Sequence, residues 1–379
     1  MRVIPLLQRQ GIETTVLLPD EPGNALQRLQ DAGIDTIQLP LGRPRFTPNP
    51  VTNLRFLTSV VSESDAIRRV IRERKIDVVL VNGLGSPQGA IAGKRERVAV
   101  VWQLLETNFP SLFRRGMMAL ATRTANVIMS TGMAVARIHP GAQRFGERLI
   151  TFFPPVNLER FRPDREVRVI ARTQLQLMPD EIAIGTVGNI NYEKNHLLFV
   201  RAAAEIRRQF KRARFFIFGG VPTARTDLAG KIRRTAENMG FRIGKDFVIQ
   251  DPGADVARLI QALDIFWLTS RSEGMPTSLE EAMASGLPIV SVNVGSITEA
   301  VESGVNGIVV SRGDSRAIVG QTLRLIRDPM LRARLGQQAR ATALACFGEE
   351  ACAEKHAEAY LAALAHNEGR TIGVARTAI

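Results

Sequence analysis

The sequence predicts an α/β protein made of two doubly wound parallel-sheet domains and a helical C-terminal segment. The chain has 379 residues, which is too long for one ordinary hydrophobic core. Short apolar runs alternate with amphipathic stretches, a pattern typical of buried parallel strands joined by crossover helices. A proline-marked stretch at 154–166, "PPVNLERFRPDRE", separates two such series. We therefore expect two domains with a boundary near this stretch.

The first series contains six candidate strands: "ETTVLL", "DTIQL", "DVVLVN", "VAVVWQL", "ANVIMS" and "RLITFF". Before them the chain opens on two helical turns, "VIPLLQRQ", closed by Gly11. A doubly wound domain normally begins with a central strand, and that strand and its glycine turn are not in this sequence. We expect the true start to lie upstream of Met1, and a truncated or degenerate protein is the alternative.

The second series contains six more candidates: "IAIGTVG", "FFIFGG", "DFVIQ", "DIFWL", "PIVSV" and "NGIVV". Beyond residue 314 the pattern is helical. The expected organisation has four parts, in chain order: a first domain over 1–160 that is truncated at its start, a second domain over 166–345, a C-terminal helix over 346–366 that is a candidate to pack back on the first domain, and a tail over 367–379.

Composition and charge limit the classes of function. Hydrophobic residues make up 45% and charged residues 23%, as in a globular protein. Residues 1–165 hold 23 Lys and Arg against 14 Asp and Glu, so most of the net charge of +13 lies there. This basic half suits an anionic membrane surface or an anionic substrate, and an ordinary solvated surface is the alternative. Nucleic acid is not an expected partner, since no nucleic-acid motif accompanies the charge.

Two acids frame a tight loop in the stretch 270–288, "SRSEGMPTSLEEAMASGLP". Ligands bind at the carboxyl ends of parallel strands, where a helix N-terminus offers N–H groups to an anion. The backbone around Gly274 can then hold phosphate oxygens, while Glu273 and Glu281 accept hydroxyls of a sugar and a ribose. For Glu281 a capping box with Ser278 is the alternative, and Thr277 could form the same box with Glu280.

A second loop, "GTVGNINYEKNH", places Lys194 just before a predicted helix. A cation at a helix N-terminus is unfavourable by some tenths of a kcal/mol. An anion held between Lys194 and the helix amides would reverse that sign. An exposed lysine pointing at water is the alternative. The four histidines form no cluster with acids, so we expect no metal cofactor.

These residues resemble a known family. The stretch "SEGMPTSLEEAMASGLPIVSVNVGSITEAVESGVNGIVV", the loop "VGNINYEKN" and the linker "PPVNLERFRP" are similar to retaining, nucleotide-sugar-dependent glycosyltransferases of the GT-B fold, glycosyltransferase family four or group 1. The resemblance covers about residues 3–363 and is strongest after residue 180. It implies two Rossmann-like domains, the first (1–160) on the acceptor side and the second (166–345) binding the donor. It also implies a nucleotide-diphosphate sugar as co-substrate without metal.

The resemblance also implies site residues. Glu273 and Lys194 would be catalytic, the first near the transferred sugar and the second on the leaving diphosphate. Retention in this family is thought to need no covalent enzyme nucleophile, because a leaving phosphate oxygen takes the acceptor's proton. The expected donor-binding residues are Gly188, Asn189, Gly219, Gly274, Met275, Pro276, Thr277, Glu281, Gly295 and Glu299.

Two further positions depart from the family pattern. Asn189 stands where the family usually has an arginine that faces the diphosphate. Leu105 and Glu106 stand near the position where the first domain often carries a histidine.

The expected function is transfer of a hexose from a nucleotide-diphosphate sugar to a glycan or lipid-linked acceptor, in cell-envelope or extracellular polysaccharide biosynthesis. A non-catalytic nucleotide-sugar-binding or partner subunit is the first alternative. A nucleotide-sugar epimerase is the second, and the scarcity of histidine weighs against it.

The expected location is the cytoplasm, with peripheral association on the inner face of the cell membrane. The candidate membrane face is "FPSLFRRGMMALATR", with Arg114 and Arg115 beside Phe109, Phe113 and Met117. An ordinary amphipathic core helix is the alternative for this stretch.

Overall fold

The computed structural model of the chain describes residues 2–21, 23, 25–44 and 50–369. Two compact units divide the chain: unit 1 is Met1–Phe153 with Glu349–Ile379, and unit 2 is Pro154–Gly348. Both are α/β with parallel strands, which confirms the predicted fold class. Most of the predicted tail, from residue 370 onward, lies outside the described residues. In the described part no helix is long and apolar enough to cross a membrane.

Unit 1 contains six strands within the described ranges, and all six correspond to predicted apolar runs. They are β1 (Thr15–Pro19), β2 (Asp35–Leu39), β3 (Val78–Asn82), β4 (Ala99–Leu104), β5 (Val127–Ser130) and β6 (Leu149–Thr151). The helices of this unit are α1 (Ile4–Arg9), α2 (Ala25–Asp31), α3 (Pro50–Glu73), α4 (Pro87–Glu96), α5 (Ser111–Thr124), α6 (Met133–Arg137) and α15 (Glu349–Asn367), with a 3-10 segment at Ala142–Arg148.

The strands of unit 1 form two separate sheets. The order β3-β4-β5-β6 makes a four-stranded parallel sheet, and β1 and β2 pair in parallel with each other. Within the described ranges no strand pairs with both β1 and β3, and β3 is an edge strand. Edge position explains why Leu80 in β3 is 37% exposed, whereas every residue of β4 is buried.

The last helix of the chain packs on the sheet of unit 1. Cys352, Ala359 and Ala363 of α15 are buried together with Val101 of β4 and Met129 of β5. Small alanine side chains let the helix approach the strands closely, so the apolar faces of both are removed from water.

Unit 2 contains the six strands of the second series. They are β7 (Ile182–Val187), β8 (Ala213–Phe218), β9 (Phe247–Gln250), β10 (Ile265–Leu268), β11 (Ile289–Val292) and β12 (Ile308–Val310). Its helices are α7 (Arg165–Gln174), α8 (His196–Gln209), α9 (Thr226–Asn238), α10 (Val256–Gln261), α11 (Thr277–Ala284), α12 (Ile297–Ala300), α13 (Ser315–Arg327) and α14 (Pro329–Cys346).

One parallel sheet with the order β12-β11-β10-β7-β8-β9 organises unit 2. Strands β7 and β10 are therefore neighbours in space although three helices and two strands separate them in the chain. The strand order reverses beside β7, and ligands of doubly wound sheets bind at such a switch point, beyond the carboxyl ends of the strands.

An ion-pair cluster holds the opposite end of this sheet. Asp264, just before β10, accepts from Arg168 at 2.6 Å and from Arg172 at 3.0 Å. The same carboxylate accepts the backbone N–H of Ala183 in β7 at 2.8 Å. Its side chain is only 12% exposed. Asp264 thus tethers α7 and β7 to β10 and lies away from the carboxyl ends.

Candidate functional site

Most of the predicted donor residues lie in loops that follow four adjacent strands of unit 2. Gly188 and Asn189 follow β7, and Gly219 follows β8. The loop 270–276 follows β10, and Gly295 follows β11. Since the strands are parallel neighbours, all four loops emerge at the same edge of the sheet. The sheet order therefore gathers residues that are far apart in the sequence.

Glu273 and Lys194 meet directly at this edge. The Lys194 Nζ donates to Glu273 Oε1 at 2.8 Å, and the two side chains are 18% and 14% exposed. The Ser270 hydroxyl donates to the same carboxylate oxygen at 2.7 Å. The alternative of a lysine pointing at water is therefore wrong. The anion expected beside Lys194 is, in this structure, the carboxylate of Glu273.

Backbone contacts join the two loops that carry this pair. The Lys194 N–H donates to the side chain of Asn191 at 2.8 Å, and the Lys194 carbonyl accepts from the Thr269 hydroxyl at 3.1 Å. The N–H of Arg271 donates to the Glu193 carbonyl at 2.6 Å. These bonds fix the backbone from which the Lys194 side chain extends. Binding a ligand there therefore costs less conformational entropy.

Glycines 188 and 219 allow a close crossing of backbones. Gly188 has φ +153, and a Cβ there would lie 2.8 Å from Cε of Lys194. A Cβ on Gly219 would lie 1.9 Å from the Gly188 carbonyl oxygen. Neither position can carry a side chain without displacing the other loop or Lys194. Gly188 and Gly219, both predicted for donor binding, thus let the two loop backbones pack closely against each other next to the Lys194 side chain.

Gly295 has the same role beneath Glu273. It has φ +56, and a Cβ there would lie 2.2 Å from the Gly274 carbonyl oxygen and 2.4 Å from that of Glu273. The next residue, Ser296, donates its N–H to the Gly274 carbonyl at 3.0 Å. The loop after β11 therefore supports the loop after β10 through backbone contacts that only glycine permits.

The start of α11 differs from the predicted cap. The residue before the helix is Pro276, and no side chain caps the helix, so neither Thr277 nor Ser278 is the N-cap. Ser278 Oγ is buried without a hydrogen-bond partner, and so are both carboxylate oxygens of Glu280. The capping boxes are absent, and the N–H groups of the first turn have no capping side chain.

Glu280 and Glu281 occupy different environments on α11. Glu280 is fully buried and Glu281 is half-buried. Burial raises the pKa of Glu280 well above its usual value, and the neighbouring charge of Glu281 raises it further. Burial therefore favours the neutral form of Glu280, whereas the side chain of Glu281 is half-buried on the same helix.

The other predicted donor residues are dispersed around this centre. The side chain of Met275 is buried, so it offers its backbone, and Asn189 is exposed after β7. Glu299 is exposed on α12. Burial lowers the pKa of His196, at the start of α8, to about 4, so that imidazole is neutral. Lys194 is consequently the cation of this loop.

Four residues of unit 1 with buried polar atoms follow β4 or β5 in the chain, and two of them, Glu106 and Arg114, were already candidates from the sequence. Burial raises the pKa of Glu106, and its Oε2 is buried without a hydrogen-bond partner. Arg114, Thr131 and His139 also have a buried polar atom without a partner. They follow β4 or β5 by one to ten positions and are spread over 34 residues of the sequence. No local pattern could have grouped them.

The candidate membrane face on α5 is a core helix instead. Phe109 and Phe113 pack against the buried cluster of unit 1, with ring centroids 5.2 Å apart, and Met117 is buried in it. The alternative of an amphipathic core helix is correct for these three side chains. Arg115 remains exposed on the outer side.

Among the side chains that the structure describes, no group of three or more His, Cys, Asp and Glu could hold a metal ion.

Two regions of the chain match models of glycosyltransferase domain families. Residues 168–342 match the family described as "Glycosyl transferases group 1". Residues 1–163 match the family described as "Glycosyl transferase 4-like domain". The curated relatives include a D-inositol 3-phosphate glycosyltransferase of Nocardia farcinica, 33% identical over 62% of this chain and 51% of its own length. Another is the putative glycosyltransferase EpsD of Bacillus subtilis, 28% identical over 55% of this chain and 52% of EpsD. The chain spans about half the length of the curated relatives it matches.

Solved structures agree with the fold. The HepE protein of Anabaena in complex with UDP has a TM-score of 0.78 and 19% identity, covering 94% of this chain and 93% of that one. Sucrose-phosphate synthase of Thermosynechococcus elongatus has a TM-score of 0.74 and 18% identity, covering 95% and 91%. At these identities the likeness shows the fold, which is the GT-B fold.

Proposed function

We propose that this chain, which combines a glycosyl transferase 4-like domain with a group 1 glycosyltransferase domain, is a retaining glycosyltransferase. It moves a hexose from a nucleotide-diphosphate sugar to a hydroxyl of a glycan or lipid-linked acceptor. The observation that carries the proposal is the Lys194–Glu273 pair at 2.8 Å, between two glycine-supported loops at the carboxyl ends of β7 and β10.

The donor fits the chemistry of this edge. Glu273 accepts hydroxyls of the sugar, and Glu281 accepts those of the ribose. The diphosphate lies against Lys194 Nζ and the uncapped N–H groups at the start of α11. Lys194 then exchanges Glu273 for the diphosphate, which leaves the carboxylate to the sugar. Glu273 and Lys194 are the catalytic residues of this assignment, because they face the bond that breaks.

The reaction needs charge stabilisation more than a protein nucleophile. As the bond between the sugar and the diphosphate breaks, negative charge grows on the phosphate oxygen. A positioned cation and helix amides at that oxygen lower the barrier. The acceptor hydroxyl bonds to the same face of the sugar, and its proton passes to the leaving phosphate oxygen. Anomeric configuration is thereby retained. One bond from the sugar carbon is exchanged for another, and the O–H bond of the acceptor is exchanged for an O–H bond on the phosphate. No metal ion is required.

The choice of donors to test follows from the neighbours. Solved structures of Anabaena HepE contain UDP and UDP-glucose, so UDP-glucose is the first donor. The product class follows from the relatives, which include EpsD and an inositol phosphate glycosyltransferase. We assign the enzyme to cell-envelope or extracellular polysaccharide biosynthesis, in the cytoplasm and peripherally at the inner face of the cell membrane.

A screen of UDP-, GDP- and ADP-sugars with EDTA present tests this proposal. The expected result is a raised melting temperature with one nucleotide and slow release of its nucleoside diphosphate. Stabilisation without release, even with simple glycan acceptors added, would favour the alternative of a non-catalytic nucleotide-sugar-binding or partner subunit. The departure at Asn189, which removes a cation that the family pattern has, is the observation that favours that alternative. No response to any nucleotide sugar would refute both functions.

A further inference from the structure

A basic groove lies in unit 1, apart from the loops described above. It has a volume of about 710 Å³ and runs between α5 and the 3-10 segment Ala142–Arg148. Met118 and Phe145 contribute apolar surface to it. Its charged lining comes from several elements: Lys94, Arg115, Arg123, Arg144 and Arg148, with His366 at the end of α15.

The charge in this groove is of one sign. Its lining contains five Lys and Arg side chains and no Asp or Glu. In the part of the chain that the structure describes, none of the five forms an ion pair with a carboxylate. The nearest acid along α4, Glu96, is already paired with Arg68 at 2.6 Å and Arg72 at 2.7 Å. Five like charges around one concavity repel one another, and an anion would relieve that repulsion.

Two of the groups are held in place. Arg148 donates to the Asn126 carbonyl at 2.7 Å, and its guanidinium lies 5.0 Å from the ring centroid of Phe145. Asn126 Nδ2 lies 3.1 Å from His366 Nδ1. Arg148 and His366 therefore share Asn126 as a support. Such fixed donors bind phosphate better than flexible surface lysines, because less side-chain freedom is lost.

The groove lies at the opposite end of the sheet from the expected substrate side. Asn126 immediately precedes β5, Arg148 precedes β6, and Lys94 is in the last turn of α4 before β4. All three positions are at the amino ends of strands. Ligands that undergo chemistry in doubly wound sheets bind at the carboxyl ends. An anion in this groove would therefore act by binding and not by reacting.

We propose that the groove of Lys94, Arg115, Arg123, Arg144 and Arg148 is a binding site for a phosphate-bearing ligand, separate from the donor site. The fork of an arginine guanidinium matches phosphate oxygens in two-pronged hydrogen bonds, and four of the five cations are arginines. The ligand is either a soluble phosphorylated molecule or the phosphate headgroup of a lipid. The site is independent of whether the chain transfers sugar.

Isothermal titration of the full chain with sodium tripolyphosphate is the test for soluble phosphate. The groove variant is Arg115→Gln with Arg144→Gln, two exposed residues. The control is Arg9→Gln with Arg69→Gln, two exposed arginines of the same unit that remove the same charge. We expect the groove variant to bind at least tenfold more weakly and the control to change less than twofold. Equal weakening in both would show attraction to the overall charge only, and would overturn the proposal.

His366 gives a readout at the site itself. Burial lowers the pKa of His366, and the nearby charges of Arg148 and Lys94 lower it further. An anion bound among those cations should raise this pKa, which proton NMR of the imidazole can follow in a chain with four histidines. The pKa of His139, which is in the same unit but is not part of the groove lining, should stay unchanged.

Vesicles distinguish the lipid source. Flotation with phosphatidylglycerol–phosphatidylcholine vesicles is compared with phosphatidylcholine alone, with and without tripolyphosphate as competitor. Binding to the anionic vesicles that the groove variant loses, while the control keeps it, identifies a lipid headgroup. Tripolyphosphate binding without vesicle binding identifies a soluble ligand. If neither probe distinguishes the groove variant from the control, the groove binds no phosphate and the proposal is wrong. Circular dichroism melting of both variants checks that they fold.

Discussion

Lys194 Nζ and Glu273 Oε1 are 2.8 Å apart, although 79 residues separate them in the chain. The contact links the loop after β7 to the loop after β10, and both side chains are largely buried. When no donor is bound, the positive charge of Lys194 and the negative charge of Glu273 compensate each other. The same contact places a cation and an acceptor of hydroxyls side by side, as transfer from a sugar diphosphate requires.

Removing the charge of Glu273 should stop catalysis without unfolding the protein. We expect Glu273→Gln to lower kcat about 100-fold or more, the scale of losing one aligned polar contact in a transition state. The melting temperature should change little, since Gln can still accept from Ser270. Nucleoside diphosphate release measures the rate. The matched control is Glu205→Gln on the surface of α8, and wild-type turnover by Glu273→Gln would contradict the assignment.

Gly295 should tolerate no side chain. In Gly295→Ala the Cβ would overlap the carbonyl oxygens of Gly274 and Glu273, at 2.2 and 2.4 Å. The control is Gly304→Ala, which has a positive φ of +88 and open space around it. In the control the free energy of unfolding should fall by only about 1–2 kcal/mol, the cost of placing alanine in a left-handed backbone conformation. We expect Gly295→Ala to lose at least about 1 kcal/mol more in urea unfolding, together with donor binding. Equal losses would mean that the two loops do not pack as described.

Glu280 should make the protein less stable as pH rises. Its pKa is raised in the folded state, so the folded protein holds a proton that the unfolded chain releases above about pH 4.5. The free energy of unfolding should therefore fall by up to about 1.4 kcal/mol per pH unit from pH 5 upward, until the folded-state pKa is reached. Urea unfolding of wild type and Glu280→Leu at pH 5 and pH 8 measures this.

The leucine variant should be more stable at pH 8, by about 1–3 kcal/mol, since it buries no carboxyl group. It should also have a flatter dependence on pH. The exposed Glu237 provides the control, and Glu237→Gln should keep the wild-type slope. A wild-type slope in Glu280→Leu would show that another group is responsible.

Asp264 should be a structural residue. Asp264→Asn removes the charge that two arginines and the Ala183 N–H share, in a position only 12% exposed. Removing one partner of a buried ion pair lowers the free energy of unfolding by about 3–5 kcal/mol. The control is Asp255→Asn, whose partner Arg258 is on the surface and whose loss should cost less than about 1 kcal/mol. Chemical unfolding compares the stability of the two variants. Similar losses of stability would contradict the structural role of Asp264.

The sequence predicted the strands well because buried parallel strands have a strong local pattern. Each predicted apolar run corresponds to one strand. The run that ends at Leu268 is β10, and Glu273 lies in the loop that follows it. The partner of Glu273 could not be read, because pairing with Lys194 depends on β7 and β10 being neighbours. Residue type alone could not decide between the readings of Glu281, because Thr277 and Ser278 are both good caps by type, whereas Pro276 precedes the helix.

The buried polar atoms of Glu106, Arg114, Thr131 and His139 could not be read from the sequence for a related reason. They are buried only once the sheet and helices of unit 1 have assembled. Burial then decides the chemistry of Glu106 and His139, and burial is a property of the whole unit.

Unit 1 is assembled from two pieces of chain, with α15 arriving only after all of unit 2 has been made. During synthesis from the N-terminus, unit 2 has its whole sequence before the ribosome delivers Glu349–Asn367. Until then, one face of β4 and β5 lacks the helix that covers it, and His356 has not reached Gln103, to which it is 2.9 Å away in the finished fold. Unit 1, whose strands are synthesised first, is thus completed after unit 2.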